Sequence, residues 1–305
     1  MISEKHEAIL VPLDFTDVAD YALDHGISMA SIFGYKLYLL HVLPNRQKGS
    51  EKEREVNNTL KEFASKIKRE HELDVVTKIS YGHPFDTIRE EAEVLEVDFV
   101  VMGVHGKKGV AHLVRSQPYK VVCQSQVPVL VVKEEHHHVG FHNIVVPIDF
   151  SRRSAQKIAQ AKKFARFFGA KIRVFGFLSS QNKAKIINKE ALLKSVTDYF
   201  IRNEIAVTTD LMVNPKMGWP EALISFADRV EADLIMIVAE KGNRFQDIFS
   251  KNYTERILDD TNIPVLSIMP CPEDFVEEEE ALSSKEGIIT PFVDPLGFFA
   301  RAADI

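Results

Sequence analysis

Cysteine is scarce in this chain of 305 residues, long apolar runs are missing, and 44 acidic residues outnumber 38 basic ones. The two cysteines, Cys123 and Cys271, form no CxxC motif, so each is expected to be a small, inert side chain in a reducing compartment. The formal net charge of -6 argues against a nucleic-acid partner or an anionic membrane surface. No apolar run approaches the roughly 18 residues that a membrane span needs.

The amino-terminal sequence MISEKHEAILVPLD does not have the layout of a signal peptide. With 45% hydrophobic and 27% charged residues, the composition is typical of a globular protein. The sequence therefore predicts a cytoplasmic protein, and its length predicts about two domains.

An internal repeat runs through most of the chain. The motif VPLDFT, which ends at Thr16, returns as VPIDFS, which ends at Ser151, at an offset of 135. GHPF and GWPE repeat at an offset of 136, as do QVPVLVV and NIPVLSI. This constant spacing predicts a duplicated domain. The expected division is domain 1 over residues 1–137, domain 2 over residues 138–270, and an acidic and apolar extension over residues 271–305.

Each repeat alternates short apolar runs with amphipathic segments, which predicts an α/β fold. The expected strands of the first repeat are Ile9–Leu13, Lys36–Val42, Val75–Ser80, Phe99–Gly103 and Val129–Val132. The expected helices between them are Asp17–Phe33, Lys52–His71, Phe85–Leu95 and roughly Gln117–Ser125. Because the strands are apolar throughout, we expect two tandem doubly wound domains, each a five-stranded parallel sheet covered by helices on both faces.

Two polar or mixed segments outside the repeats carry no clear chemistry. Three consecutive histidines precede Val139, but consecutive residues rarely converge on one ion, so a solvated linker is favoured over a metal site and no metal is predicted. The extension beyond Pro270 has an acidic run and then an apolar end. That end is expected to dock either on this chain or on a partner.

Ligands of doubly wound sheets bind beyond the carboxyl ends of the strands, where the strand order reverses. Asp14 follows the first strand and is expected either to accept a hydrogen bond from a ligand or to cap the next helix. Val42 at the end of the second strand is expected either to pack on a base or to belong to the core. The segment from Gly103 to Ser116 is expected to be either an anion-binding loop or a plain turn.

The motifs VPLDFT, LLHVLP, GHPFDTI, DFVVMGVHG and SQVPVLVVK, in this order, resemble the universal stress protein family. The second half resembles a second copy, so the resemblance covers roughly residues 5–270. It implies a fold like that of the adenine nucleotide alpha hydrolases, and one branch of the family binds ATP at a G-x2-G-x9-G-[ST] motif. The resemblance implies a role in the stress response or in regulation.

The resemblance also implies which residues would bind ATP, with Mg²⁺ if it binds. Pro12, Asp14 and Val42 would surround the adenine and the ribose. Gly103, Gly106 and Ser116 would take the phosphates. The remaining candidate site residues are Met102, His105 and Arg115.

Both repeats depart from the ATP-binding motif. In the first, the loop is one residue shorter, and Arg115 replaces the third glycine, where it either obstructs the phosphates or pairs with them. In the second, Ala239 replaces the first glycine, Glu240 adds negative charge and Gly242 alone remains. The second repeat is therefore expected to be a degenerate partner domain.

No catalytic set emerges from the sequence. A GxSxG elbow and a GK[ST] phosphate loop are both absent, so we assign no catalytic residue and expect at most slow ATP hydrolysis. Two functions of different classes stay open: a stress or regulatory protein that binds ATP in its first domain, and a nucleotide-independent scaffold that uses the tandem domains and the tail.

The resemblance bears on quaternary structure as well. Family members commonly dimerise through their last strands. It therefore implies an intrachain pseudo-dimer in which VPVLVV pairs with IPVLSI, and a further homodimer of the chain stays open.

Overall fold

The structure is a computed structural model that describes residues 7–104, 117–133, 140–148, 154–239 and 251–268. Its ten strands and eight α-helices alternate along these residues. Among the described residues, no helix is both long enough and apolar enough to cross a membrane.

The first half of the chain contains the first five strands. Its elements, in order, are β1 (Ala8–Pro12), α1 (Asp17–Phe33), β2 (Lys36–Leu43), a short 3-10 turn (Asn45–Gln47), α2 (Glu51–His71), β3 (Val75–Tyr81), α3 (Pro84–Val94), β4 (Phe99–Gly103), α4 (Gln117–Gln124) and β5 (Val129–Val132). The expected elements are confirmed, with ends that differ by at most one residue.

The second half repeats this layout. Its elements are β6 (Asn143–Ile148), α5 (Ser154–Phe168), β7 (Lys171–Leu178), α6 (Lys183–Arg202), β8 (Val207–Val213), α7 (Trp219–Arg229), β9 (Leu234–Val238), α8 (Lys251–Asp260) and β10 (Val265–Ile268). The two halves therefore have the same order of elements.

Local sequence explains where the first helix lies. The face predicted from 3- and 4-residue steps in α1 is buried, and it consists of Ala19, Ala22, Leu23, Gly26, Ile27 and Ala30. The helix ends at Gly34, whose φ of 71° lies in the left-handed region that glycine adopts without a Cβ penalty. Thr16 precedes the helix at the N-cap position, although its side chain makes no capping bond.

The ten strands form one sheet in the order β3-β2-β1-β4-β5-β10-β9-β6-β7-β8. All neighbouring strands are parallel except β5 and β10, which are antiparallel. The α/β class and the five parallel strands of each half are thus confirmed. The two five-stranded sheets in addition join edge to edge.

Helices cover both faces of this sheet. One hydrophobic cluster lies under α1, α2, α5 and α6, and the other lies under α3, α4, α7 and α8. Each cluster draws buried residues from both halves, for example Leu37 and Ile172 in the first. Because apolar area is removed from water across the junction, the two halves stabilise one another.

The junction of the two sheets pairs equivalent residues. Leu130 lies opposite Leu266, its own equivalent at the offset of 136, and Val131 lies opposite Val265. Such a register relates the two strands by a local twofold axis, as in an isologous contact. The buried Lys133 adds a polar contact, because its Nζ donates hydrogen bonds to the carbonyls of Asp259 (3.2 Å) and Thr261 (2.7 Å) at the end of α8.

An aromatic cluster fills the junction under α1 and α5. We call it the aromatic seam, and it consists of Phe33, Phe99, Phe141, Phe164 and Phe168. Phe33 and Phe168 are equivalents in the two repeats, and their ring centroids lie 5.8 Å apart in an edge-to-face arrangement. The aromatic seam thus packs the first half of the chain against the second.

Replacing Phe164 with alanine tests whether the seam stabilises the whole chain. Phe164 is fully buried, so its loss is expected to lower the free energy of unfolding by about 3–5 kcal/mol. Urea unfolding followed by the fluorescence of Trp219, the single tryptophan, measures this. Ile201→Ala is the control, since Ile201 is 59% exposed on α6 and is not part of the seam, and it is expected to cost less than about 1 kcal/mol. Equal effects would contradict a specific role of the seam.

Candidate functional site

Strand order reverses beside β1. After β1 the chain passes through α1 to β2 on one side, and it later places β4 on the other side. The carboxyl ends of β1 and β4 therefore flank the topological switch point of the first half, where ligands of such sheets bind.

Three of the predicted site residues share one face of the sheet at this edge. Met102 and Val42 both pack against the cluster under α3 and α4. Pro12 lies two residues after Leu10, which belongs to the same cluster, so it points to the same face. Met102 is almost fully buried, while Pro12 and Val42 are half-buried. These three side chains lie on the neighbouring strands β4, β2 and β1.

The loop between β1 and α1 contains Asp14. Its Oδ1 accepts hydrogen bonds from the backbone N–H of Thr16 (3.1 Å) and from Thr16 Oγ1 (2.6 Å). Asp14 thus closes the turn ahead of the helix with one oxygen. Both of these bonds are to Oδ1, and the residue is exposed at the edge of the sheet.

Sequence reasoning missed His41, although it lies within the motif LLHVLP. Its Nδ1 donates a hydrogen bond to the backbone carbonyl of Leu13 at 2.6 Å, because a carbonyl can only accept. Its ring stacks on Phe15, with centroids 4.8 Å apart and planes 15° apart. One signal was available: a histidine stands inside an otherwise apolar stretch of strand.

Burial shifts the protonation of His41. Its pKa is lowered mainly because burial disfavours the charged imidazolium. The hydrogen bond to Leu13 and the nearby Asp14 carboxylate act in the opposite direction, while Lys52 of α2 lowers the pKa further. His41 is therefore neutral at pH 7, with its proton on Nδ1.

The lowered pKa predicts a pH dependence of stability. Since the unfolded chain binds this proton more readily than the folded one, the contribution of His41 is fully present above its ordinary pKa of about 6.5. It is lost as the pH falls through the lower pKa of the folded state. An NMR titration of the histidine ring signals, assigned with His41→Phe, measures the midpoint. The account requires a lower midpoint in folded protein than in urea-unfolded protein, and an equal or higher one would contradict it.

Gly103 has a packing reason to lack a side chain. A Cβ at this position would overlap the backbone carbonyl oxygen of Val18 in the first turn of α1. The close approach of α1 to β4 thus requires glycine whether or not a ligand is present. The corresponding residue of the second half, Ala239, is buried.

The rest of the predicted phosphate loop lies outside the described residues. This applies to His105, Gly106, Arg115 and Ser116 in the first half and to Glu240 and Gly242 in the second. Helix α4 begins at Gln117, directly after Ser116. The predicted roles of these residues stay predictions.

Comparison with known proteins identifies the family. A family model described as the universal stress protein family matches residues 5–133. A universal stress protein of Methanocaldococcus jannaschii is 32% identical over 162 residues, which cover 44% of this chain and 99% of that protein. The chain belongs to the universal stress protein family. The family that the motifs predicted is thereby confirmed.

Other members resemble one half or both. Universal stress protein G of Shigella flexneri is 28% identical over 151 residues, which are 42% of this chain and 99% of that protein. The crystal structure of a universal stress protein from Archaeoglobus fulgidus covers 88% of this chain and 98% of its own, with a TM-score of 0.70 and 17% identity. At that identity the likeness shows the fold alone, and it spans both halves.

Proposed function

We propose that the first half binds one adenine nucleotide, ATP, at the switch point between β1 and β4, and that its occupancy regulates a stress-response function. The observation that carries the proposal is the grouping of Pro12, Val42 and Met102 on one face at the carboxyl edge of three neighbouring strands. Asp14 lies in the loop just beyond that face.

The three apolar side chains suit a purine base. A flat aromatic ring gains dispersion contacts on an apolar wall, and backbone groups at strand ends supply polar contacts to its edge. The face is half-buried rather than closed, since Pro12 and Val42 keep exposed area. A base seated there would complete the burial of both residues.

Asp14 suits the ribose. A carboxylate oxygen only accepts, and the ribose hydroxyls are donors of matching chemistry. Because Oδ1 is held by Thr16 at 2.6 Å and 3.1 Å, the proposal assigns Oδ2 to the ribose.

The phosphates are assigned by the family motif. Gly106, Arg115 and Ser116 are the proposed phosphate residues, and the start of α4 at Gln117 is consistent with an anion at a helix N-terminus. Mg²⁺ would enter as the companion ion of the triphosphate. Among the described residues, no group of three or more His, Cys, Asp or Glu side chains is arranged to hold a metal ion.

The second half is proposed to be a partner domain that binds no nucleotide. Ala239 stands at the position of Gly103, and Gly176 stands at the position of His41. The proposed division is domain 1 over residues 1–137 and domain 2 over residues 138–270. The pairing of Leu130 with Leu266 supports an intrachain pseudo-dimer of these two domains.

Calorimetric titration of ATP into the full chain tests this proposal. The wild type is expected to bind one nucleotide per chain. Asp14→Asn is expected to weaken binding by roughly tenfold, because it removes a hydrogen bond to a charged acceptor, about 1.5 kcal/mol. Asp149→Asn is the matched control at the equivalent position of the second half, and its affinity is expected to stay within about twofold of the wild type.

Two outcomes would contradict the proposal. If folded wild-type protein gives no binding heat with ATP and shows no ATP binding in a competition assay, the nucleotide-independent scaffold function replaces the proposed one. If two nucleotides bind per chain, or if Asp149→Asn weakens binding as much as Asp14→Asn, the assignment to the first half alone is wrong.

A further inference from the structure

We propose that His41 is the positioning residue of the site: it holds the loop after β1 so that Asp14 presents Oδ2 to the ligand. This inference rests on the proposed function, since the ligand is the nucleotide assigned there. His41 touches the residues on both sides of Asp14, and it does so from a different strand.

The first contact fixes the residue before Asp14. The Nδ1–H of His41 donates to the carbonyl of Leu13 at 2.6 Å. Leu13 directly follows β1, and its backbone N–H donates a hydrogen bond to the carbonyl of Leu40 at 2.8 Å. Both polar backbone groups of Leu13 are therefore bonded to β2, so the chain leaves β1 in a fixed direction.

The second contact fixes the residue after Asp14. Phe15 has a φ of 62°, a left-handed conformation that costs an L-residue of this size about 1–2 kcal/mol. Its ring lies between His41, at 4.8 Å and 15°, and Phe63 of α2, at 6.1 Å and 48°. The stacked contact with His41 and the tilted contact with Phe63 offset the backbone strain and hold Phe15 in this conformation.

Asp14 is thus held between two anchored neighbours. The bonds from Thr16 to Oδ1 then set the rotation of the carboxylate. An oxygen that is already placed loses little conformational entropy when a ribose hydroxyl binds it, which is how preorganisation raises affinity.

His41 acts through the loop rather than on the ligand. Its neighbours two residues away on β2, Leu39 and Leu43, belong to the cluster under α1 and α2. Val42 faces the opposite cluster, under α3 and α4, where the base is proposed to lie. Because side chains alternate along a strand, His41 points away from that base.

The second half provides an internal comparison. The position equivalent to His41 is Gly176, which pairs with Ile148 at the end of β6. Glycine supplies neither a donor nor a ring, although the Asp–Phe pair of the loop is retained as Asp149 and Phe150. The half that has lost the phosphate motif has also lost the residue that positions its aspartate.

The experiment compares ATP affinity, by calorimetry, across variants of the full chain. His41→Phe keeps a ring for Phe15 but removes the donor to Leu13, and it is expected to weaken ATP binding about threefold to tenfold. His41→Gly introduces the residue of the second half and is expected to weaken ATP binding further. His71→Phe is the control, because His71 ends α2 at the opposite edge of the sheet, and it is expected to leave affinity within about twofold.

A double-mutant cycle separates positioning from general stability. In an Asp14→Asn background, His41→Phe is expected to add less than about twofold, since its effect passes through the aspartate. Hydrogen exchange of the Thr16 amide, which donates to Asp14, tests the order of the loop in the absence of ATP. The exchange rate is expected to become at least about tenfold faster in His41→Phe.

The outcomes distinguish this inference from the proposed function. ATP binding by the wild type with unchanged affinity in His41→Phe would overturn the inference and leave the function standing. A loss that adds in full to that of Asp14→Asn would also overturn it, since it would mean that His41 acts independently of Asp14. If the wild type binds no ATP, the proposed function fails. The hydrogen-exchange rate of the Thr16 amide then tests the positioning role by itself. An unchanged rate in His41→Phe overturns that role, and a faster rate supports it.

Discussion

The antiparallel pairing of β5 with β10 is the contact on which the rest of this structure depends. It turns two parallel sheets of five strands into one sheet of ten. Once the sheets are joined, the apolar residues on both faces form clusters that extend across the junction. Lys133 and the pair Phe33–Phe168 reinforce the same junction from the edge and from one face.

In a duplicated fold with a shared core, the residues at the ligand-binding edge of the two halves can differ while the core is maintained. Residues at the junction must stay apolar and complementary, because each half buries area against the other. Residues at the carboxyl edge of each sheet lie outside the junction, so packing against the other half does not constrain them. The first half keeps Gly103, His41 and a turn closed by Asp14, whereas the second has Ala239 and Gly176 at the first two positions. The second half can therefore retain its fold while, as proposed, only the first half binds a nucleotide.

Much of the fold could be predicted from sequence, because it follows from periodicity. The apolar runs and the amphipathic segments predict strands and helices whose ends differ from the structure by at most one residue. The repeat offset aligned Leu130 with Leu266, and the structure shows them opposite one another. Local patterns carry no information on contacts between distant segments, so the aromatic seam and the bonds of Lys133 were not foreseen.

The candidate site was predicted in outline. Glycine, aspartate and a strand end are visible in sequence, so Asp14, Val42 and Gly103 could be named, whereas Pro12 and Met102 came with the family resemblance. Their physical roles needed coordinates: Gly103 is glycine because Val18 leaves no room for a Cβ. His41 was missed because its contacts, Leu13 and Phe15, lie 28 and 26 positions away in sequence and depend on the pairing of β1 with β2.

The central claim is that nucleotide chemistry belongs to the first half alone. The most direct measurement follows backbone amide NMR signals of the full chain during a titration with ATP. The account predicts shifts confined to the carboxyl edge of the first half, at Asp14, Val42 and Gly103, with the equivalent positions Asp149, Phe177 and Ala239 unchanged. Matching shifts in both halves, or none in either at saturating ATP, would contradict it.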